Sequence, residues 1–258
     1  MWYNQYGKDT IRGIYMKTII ISALIFLIIL AGVALFFVYM FFTKKPESSV
    51  NNYLKSSDEV LVSYDKTGNI IFLPKEAKNI AILFYPENLV EAEAYAPLCF
   101  KLANEGYGVV LIKPFLNISF FSNINAFKRL KSEKGVIHWV VIGHGSGGKV
   151  SSFLARKFPQ KIKGIVFLAS YPIFDISNYD IKSLVIYAEF DTIVNYEQIM
   201  KHFDEFPKDC EFFKIAGGNH SQFGYFGEIF GDGESLITKE KQQEILIEKI
   251  KEFLDSIQ

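Results

Sequence analysis

Hydrophobic and polar positions divide the chain into two unlike parts. From Thr18 to Phe42 the residues read TIIISALIFLIILAGVALFFVYMFF, 25 positions without a charge. A helix of that length spans about 37 Å at ~1.5 Å per residue, more than the ~30 Å hydrocarbon core of a bilayer. Lys17 on one side and Lys44-Lys45 on the other bracket the run. It exceeds the ~7–15 residue apolar core of a cleaved signal, and no small-x-small cleavage pattern follows closely. The expectation is one transmembrane signal-anchor over 18–42 after a short tail, 1–17, with the lipid bilayer as its partner. Met16 offers a second candidate start. The positive-inside count ties, with Lys8, Arg12 and Lys17 before the span and Lys44, Lys45 and Lys55 after it. The working expectation is a single-pass membrane protein with its folded domain on the extracytoplasmic side.

Residues 43–58, rich in Lys, Ser and Asn with one Pro, read as a linker, leaving 59–258 as the folded domain. There short apolar runs alternate with helical spacing. Val60–Tyr64 and Ile70–Leu73 flank Asp65-Lys66-Thr67-Gly68-Asn69, a hairpin signal. Ile80–Tyr85, Gly108–Ile112, Trp139–Ile142, Ile165–Leu168, Leu184–Ala188 and Glu211–Ile215 are further strands. Helical periodicity falls over 91–105, 123–134, 147–158, 195–203 and 239–257. Near-continuous apolar strands alternating with helices predict an α/β sandwich: a mostly parallel sheet with helices on both faces, plus the N-terminal transmembrane helix.

Charge and composition exclude several classes. Twenty-eight basic residues balance 28 acidic ones, unlike the cationic excess that holds phosphates, so no nucleic-acid partner is expected. Cys99 and Cys210 alone make neither a disulfide framework nor a cysteine zinc site. Gly143, Gly145 and Gly148 have Gly-x-Gly-x-x-Gly spacing, but no acidic residue ends the next strand to hold a ribose. No cofactor is expected, and the oligomeric state is left open.

Ligands in such sheets collect beyond the carboxyl ends of the strands. Three stretches lie there: Gly143-His144-Gly145-Ser146-Gly147-Gly148 between a strand and a helix, Glu189-Phe190-Asp191, and Gly217-Gly218-Asn219-His220. Ser146, Asp191 and His220 stand in the chain order of an α/β-hydrolase triad. Residues from about 58 onward resemble a lidless α/β-hydrolase subgroup related to dienelactone-hydrolase-like proteins. The resemblance rests on Tyr85-Pro86, Ala94-Tyr95-Ala96-Pro97-Leu98, Ala169-Ser170-Tyr171-Pro172, the run from Gly217 to Gly224, Gly231-Asp232-Gly233 and Gln242-Gln243. It implies Asp191 as the triad acid and His220 as the base.

Two departures touch the reaction centre. Relatives read Gly-His-Ser-x-Gly-Gly at the elbow; aligned without gaps, this chain puts Gly145 where the nucleophile belongs and Ser146 one position later. Where relatives carry Tyr-Pro-Gly-Gly, this chain has Tyr85-Pro86-Glu87-Asn88, and a Glu87 carboxylate at an oxyanion hole would repel the charge developing there. Three readings follow. In the first, Ser146 is the nucleophile for a small ester, lactone or thioester, with the oxyanion held by turn N–H groups around Gly145 and Gly147. In the second, the fold is a binding module without covalent chemistry. In the third, Asp191 and His220 activate a water above Gly145.

Overall fold

The computed structural model describes residues 2–122 and 138–257; the helix expected at 123–134 lies outside them. The chain divides into two compact units, residues 1–43 and 44–258. The first is a single helix, α1 (Trp2–Phe42), so the helix begins well before the apolar run, within the expected tail. Within Ile14–Phe42 an 18-residue window reaches a mean hydropathy of 3.1, with none of that window buried. That stretch is long and apolar enough to cross a membrane, a property that signal sequences share.

The second unit is built on eight strands: β1 (Val60–Tyr64), β2 (Ile70–Pro74), β3 (Ile80–Tyr85), β4 (Gly108–Leu111), β5 (His138–His144), β6 (Ile162–Leu168), β7 (Lys182–Ala188) and β8 (Cys210–Ile215). They form one sheet in the order β1-β2-β4-β3-β5-β6-β7-β8. The first two pairings, β1 with β2 and β2 with β4, are antiparallel; all the others are parallel. The Asp65 carboxylate closes the hairpin by accepting the Thr67 and Asn69 N–H groups at 2.8 and 3.1 Å. All six residues of β3 are buried, as a strand covered on both faces requires.

Helix α2 (Ala96–Asn104) packs on β4 and β2, and α3 (Ser146–Lys157) on β5 and β6. A short α4 (Tyr196–Met200) follows β7, and α5 (Lys239–Asp255) packs against α2. In α5, Leu246, Ile250, Phe253 and Leu254 are buried along one stripe. The register sets the site: Tyr85 lies level with Gly143, and His144 with Leu168. The loops after β3, β5, β7 and β8 therefore open at one end of the sheet.

The expected linker behaves differently. Lys44 bridges to Val90, and the Glu47 N–H reaches the Tyr225 carbonyl at 2.8 Å. Ser48–Leu54 form a 3-10 turn whose Val50 is buried, and Tyr53 sets its ring edge-on to Phe100 at 5.7 Å. Two apolar side chains three residues apart hold this polar segment on the domain, so the compact unit starts at Lys44.

Candidate active site

The elbow is a consequence of buried β5 running straight into α3. Gly145 joins them at φ 49 and ψ −114, a region open to glycine and costly for any side chain. Its N–H donates to the Leu168 carbonyl at 2.9 Å, and its carbonyl accepts from Ser170 Oγ at 2.5 Å. Gly147, in the first turn of α3, lies so close to β3 that a Cβ would strike the Tyr85 and Pro86 carbonyls. The turn thus has its apex at Gly145, and Ser146 is the first residue of the helix.

Asp191 and His220 meet beyond β7 and β8. One Asp191 oxygen accepts the Ile193 and Val194 N–H groups at 2.9 and 2.7 Å; the other lies 2.8 Å from His220 Nδ1. His220 is fully buried. Its neighbour Asn219 is clamped by Gln242, which accepts the Asn219 N–H at 3.0 Å and donates to its carbonyl at 2.8 Å. On the other side Asp232 takes the N–H and hydroxyl of Ser221, each at 2.7 Å. Burial pulls the His220 pKa down, but Asp191 and Glu87 outweigh it and push it up to about 9, so the ring is an imidazolium at neutral pH.

Glu87 reaches this group from the loop after β3. A Cβ placed on Gly145 would fall within a covalent bond length of Glu87 Oε2 and 2.6 Å from its carboxyl carbon. The carboxylate fills the space of an elbow side chain. Oε2 accepts the Ser146 N–H at 3.0 Å, Oε1 accepts the Asn88 N–H at 2.5 Å, and Oε2 stands 3.7 Å from His220 Nε2. That last separation is ion-pair distance, longer than a hydrogen bond. Burial raises the Glu87 pKa, but the His220 charge, the Ser146 side chain and the Asn88 N–H together hold it below the ordinary carboxylate value. Glu87, His220 and Asp191 form a row of alternating charge, minus, plus, minus.

His144 lies against His220, with ring centroids 4.3 Å apart and planes tilted by 36°. Burial and the adjacent imidazolium hold its pKa well down, so it is neutral. Burial keeps the Tyr95 hydroxyl protonated; it accepts the Glu87 N–H at 3.3 Å and sits 2.8 Å from His144 Nδ1. This network assigns the His144 proton to Nε2. It also turns the Glu87 N–H toward Tyr95.

Of the residues expected at the site, the structure gathers Asp191, His220, Glu87 and Gly145. Ser146 brings its backbone N–H and lies beside the Glu87 carboxylate. Among the described residues no group hydrogen-bonds to His220 Nε2. The expected repulsion between Glu87 and an oxyanion takes another form, because the carboxylate itself accepts the Ser146 N–H. Glu189, the other carboxylate of the loop after β7, is engaged by Lys214 at 3.2 Å and the Gly217 N–H at 2.9 Å. His202 stacks on Tyr171 and pairs with Glu205. Tyr95, Ser170, Asp232 and Gln242 fall in the stretches that carry the family resemblance, yet nothing in the sequence assigned them a task.

A mostly parallel eight-stranded sheet, a glycine elbow and an Asp–His pair beyond consecutive strands define the α/β-hydrolase class of protein. The profile of the Alpha/beta hydrolase family matches residues 81–244, and the chain belongs to that family. Among solved structures it is similar to a hydrolase of Thermoplasma acidophilum described as CIB-like, with a TM-score of 0.54 and 13% identity over 75% of this chain and 99% of that one. It is also similar to Est1E from Butyrivibrio proteoclasticus, with a TM-score of 0.53 and 14% identity over 77% of this chain and 98% of that one. At such identities the likeness shows the shared fold. A search of curated protein sequences returns no match.

Proposed function

We propose that this chain is a membrane-anchored acyl hydrolase, held by residues 18–42, in which Glu87 supplies the nucleophile. Asp191 and His220 keep their triad roles, and the best-suited substrate is a small acyl thioester. The observation that carries this reading is the Glu87 carboxylate in the side-chain space of Gly145, facing an imidazolium. A serine must be deprotonated by a neutral histidine; a carboxylate is already anionic. The charged His220 is then in the right state to protonate a leaving group.

Glu87 Oε2 attacks the acyl carbon while sulfur leaves with the proton from His220 Nε2. The products are an acyl–glutamyl anhydride, a thiol and neutral His220. A carboxylate displaces a thiolate, whose thiol has a pKa of about 8.5, far more readily than an alkoxide. Acylation removes one of the two anions that hold the proton on His220, and its basicity falls. The neutral ring, still braced by Asp191, takes a proton from water as that water adds to the Glu87 carboxyl carbon. Charge on Oε1 then faces the Asn88 N–H, and the departing Oε2 faces the Ser146 N–H. Collapse releases the carboxylic acid and regenerates the ion pair.

The place of Ser146 next to the apex of the elbow, at the first position of α3, favours a second reading, with Ser146 as nucleophile and Gly145 and Gly147 shaping its turn. One experiment separates the two: thioester turnover by the full chain in lipid, with fluorophosphonate labelling in parallel. The first reading expects turnover without labelling, lost in Glu87→Gln. Labelling that disappears in Ser146→Ala replaces it with the second.

A further inference from the structure

Lys44 is the second residue after α1 and the first of the domain. Its N–H donates to the Leu89 carbonyl at 2.7 Å, and the Leu89 N–H donates in turn to the Asn117 carbonyl at 2.7 Å. Lys44 Nζ donates to the Glu228 carbonyl, also at 2.7 Å. Two loops are thereby gathered around one residue, and both carry large apolar side chains in solvent. Phe115 is 70% exposed, Leu116 46%, Phe121 56% and, on the second loop, Phe230 98%. Leu89, Leu116 and Asn117 all adopt positive φ without being glycine, at 57°, 53° and 49°. Such backbone costs stability and is kept where a defined presentation is needed.

We propose that Phe115, Leu116, Phe121 and Phe230 form a docking surface for the lipid bilayer, seated at its headgroup boundary; this rests on the reading of residues 18–42 as a membrane anchor. The occupant follows from chain continuity. A chain leaving the hydrocarbon at Phe42 travels only about 3.8 Å per residue, so Lys44 lies at the interface, together with the backbone it holds. Exposed aromatic and aliphatic side chains on loops tied to Lys44 at that depth suit the boundary between acyl chains and anionic or zwitterionic headgroups. Ser119, on the first of these loops, donates from its hydroxyl to the Pro86 carbonyl at 2.6 Å and from its N–H to Asn88 Oδ1 at 2.9 Å. The docking loop therefore braces the segment that carries Glu87.

The test uses the full chain in phosphatidylcholine vesicles with and without acyl-brominated lipid. Phe121→Trp and Phe230→Trp are compared with Leu61→Trp, an exposed position on β1, after subtracting the emission of Trp2 and Trp139. The expected result is about twofold bromine quenching of the added emission at 121 and 230, and none at 61. Retention after alkaline carbonate washing without that quenching overturns the docking surface and leaves the anchor standing. Extraction by carbonate overturns the anchor and the docking surface together. A blue-shifted emission that bromine does not quench means burial against another protein copy, which also overturns it.

Discussion

Glu87 and Gly145 are sterically complementary: the carboxylate of one occupies the volume that any side chain on the other would need. Gly145→Ser alone must therefore either displace Glu87 or distort the turn, in addition to placing a side chain at φ 49. We expect destabilisation of about 1–3 kcal/mol from the backbone alone, read as a lower melting temperature. Adding Glu87→Gly clears the slot and leaves a serine facing His220 and Asp191. The double variant is expected to label with a fluorophosphonate, and the single Gly145→Ser to label poorly. An equal or higher melting temperature for Gly145→Ser would remove the complementarity argument.

Protonation of His220 links this site to stability. Its pKa is about 9 in the folded chain against an ordinary 6.5, so its contribution is complete below pH 6.5 and is lost as pH rises through about 9. Integrated, the loss is on the order of 3 kcal/mol. The Glu87 pKa is lowered, so its contribution is present above the ordinary carboxylate range and is lost as pH falls through the folded value. Melting temperature is expected to decline on the alkaline side of neutrality. In Glu87→Gln the decline should begin at lower pH, because one of the two anions holding the His220 proton is gone. Superimposable alkaline profiles for the two proteins would show that Glu87 does not act on His220.

Much of this was legible in the residues. β3, β5 and β7 are continuous apolar runs because both their faces are covered, and Asp191 and His220 each follow a strand end closely. The reach of Glu87 was not legible. Tyr85-Pro86-Glu87-Asn88 shows only that a carboxylate lies near the oxyanion site; its approach to Gly145 depends on the register that sets Tyr85 beside Gly143. The segment 44–58 misled for a related reason. Its polar residues dominate any window, while side chains that pack it down, Val50 and Tyr53 among them, find their places only once the domain has formed. Tyr95 and Gln242 likewise gain their roles from what folds against them.

Ser146 lets its two contributions be separated. Its N–H donates to Glu87 Oε2, and it occupies the first position of α3, where proline is well tolerated because the missing N–H breaks no helical bond. Ser146→Ala keeps the N–H and is expected to hold thioester turnover within about threefold of the parent. Ser146→Pro deletes that donor and should lower kcat by about 10²-fold, typical for loss of one charge-stabilising donor. Steady-state kinetics on both variants, with thermal melts to confirm folding, makes the comparison. A dead Ser146→Ala alongside active Ser146→Pro is chemically incoherent with either nucleophile; a dead Ser146→Ala with strong probe labelling of the parent transfers the role to the hydroxyl.

Covalent participation of Glu87 leaves an isotopic trace. If water attacks the Glu87 carboxyl carbon, each turnover exchanges one carboxylate oxygen of the residue with solvent, whereas base catalysis by the same carboxylate exchanges none. Turnover in heavy-oxygen water followed by digestion and mass spectrometry is expected to show the label in the peptide containing Glu87. The peptides of Asp191 and Asp232 serve as unlabelled controls, since those carboxylates face donors rather than the elbow. In His220→Ala the first step loses its proton donor, but a thiolate can leave unprotonated; the second step loses its base, so the anhydride, formed more slowly, should persist and be trapped by hydroxylamine as a hydroxamate on Glu87. Robust turnover with label in the released acid alone would assign Glu87 the role of base, with the ion pair acting on water directly.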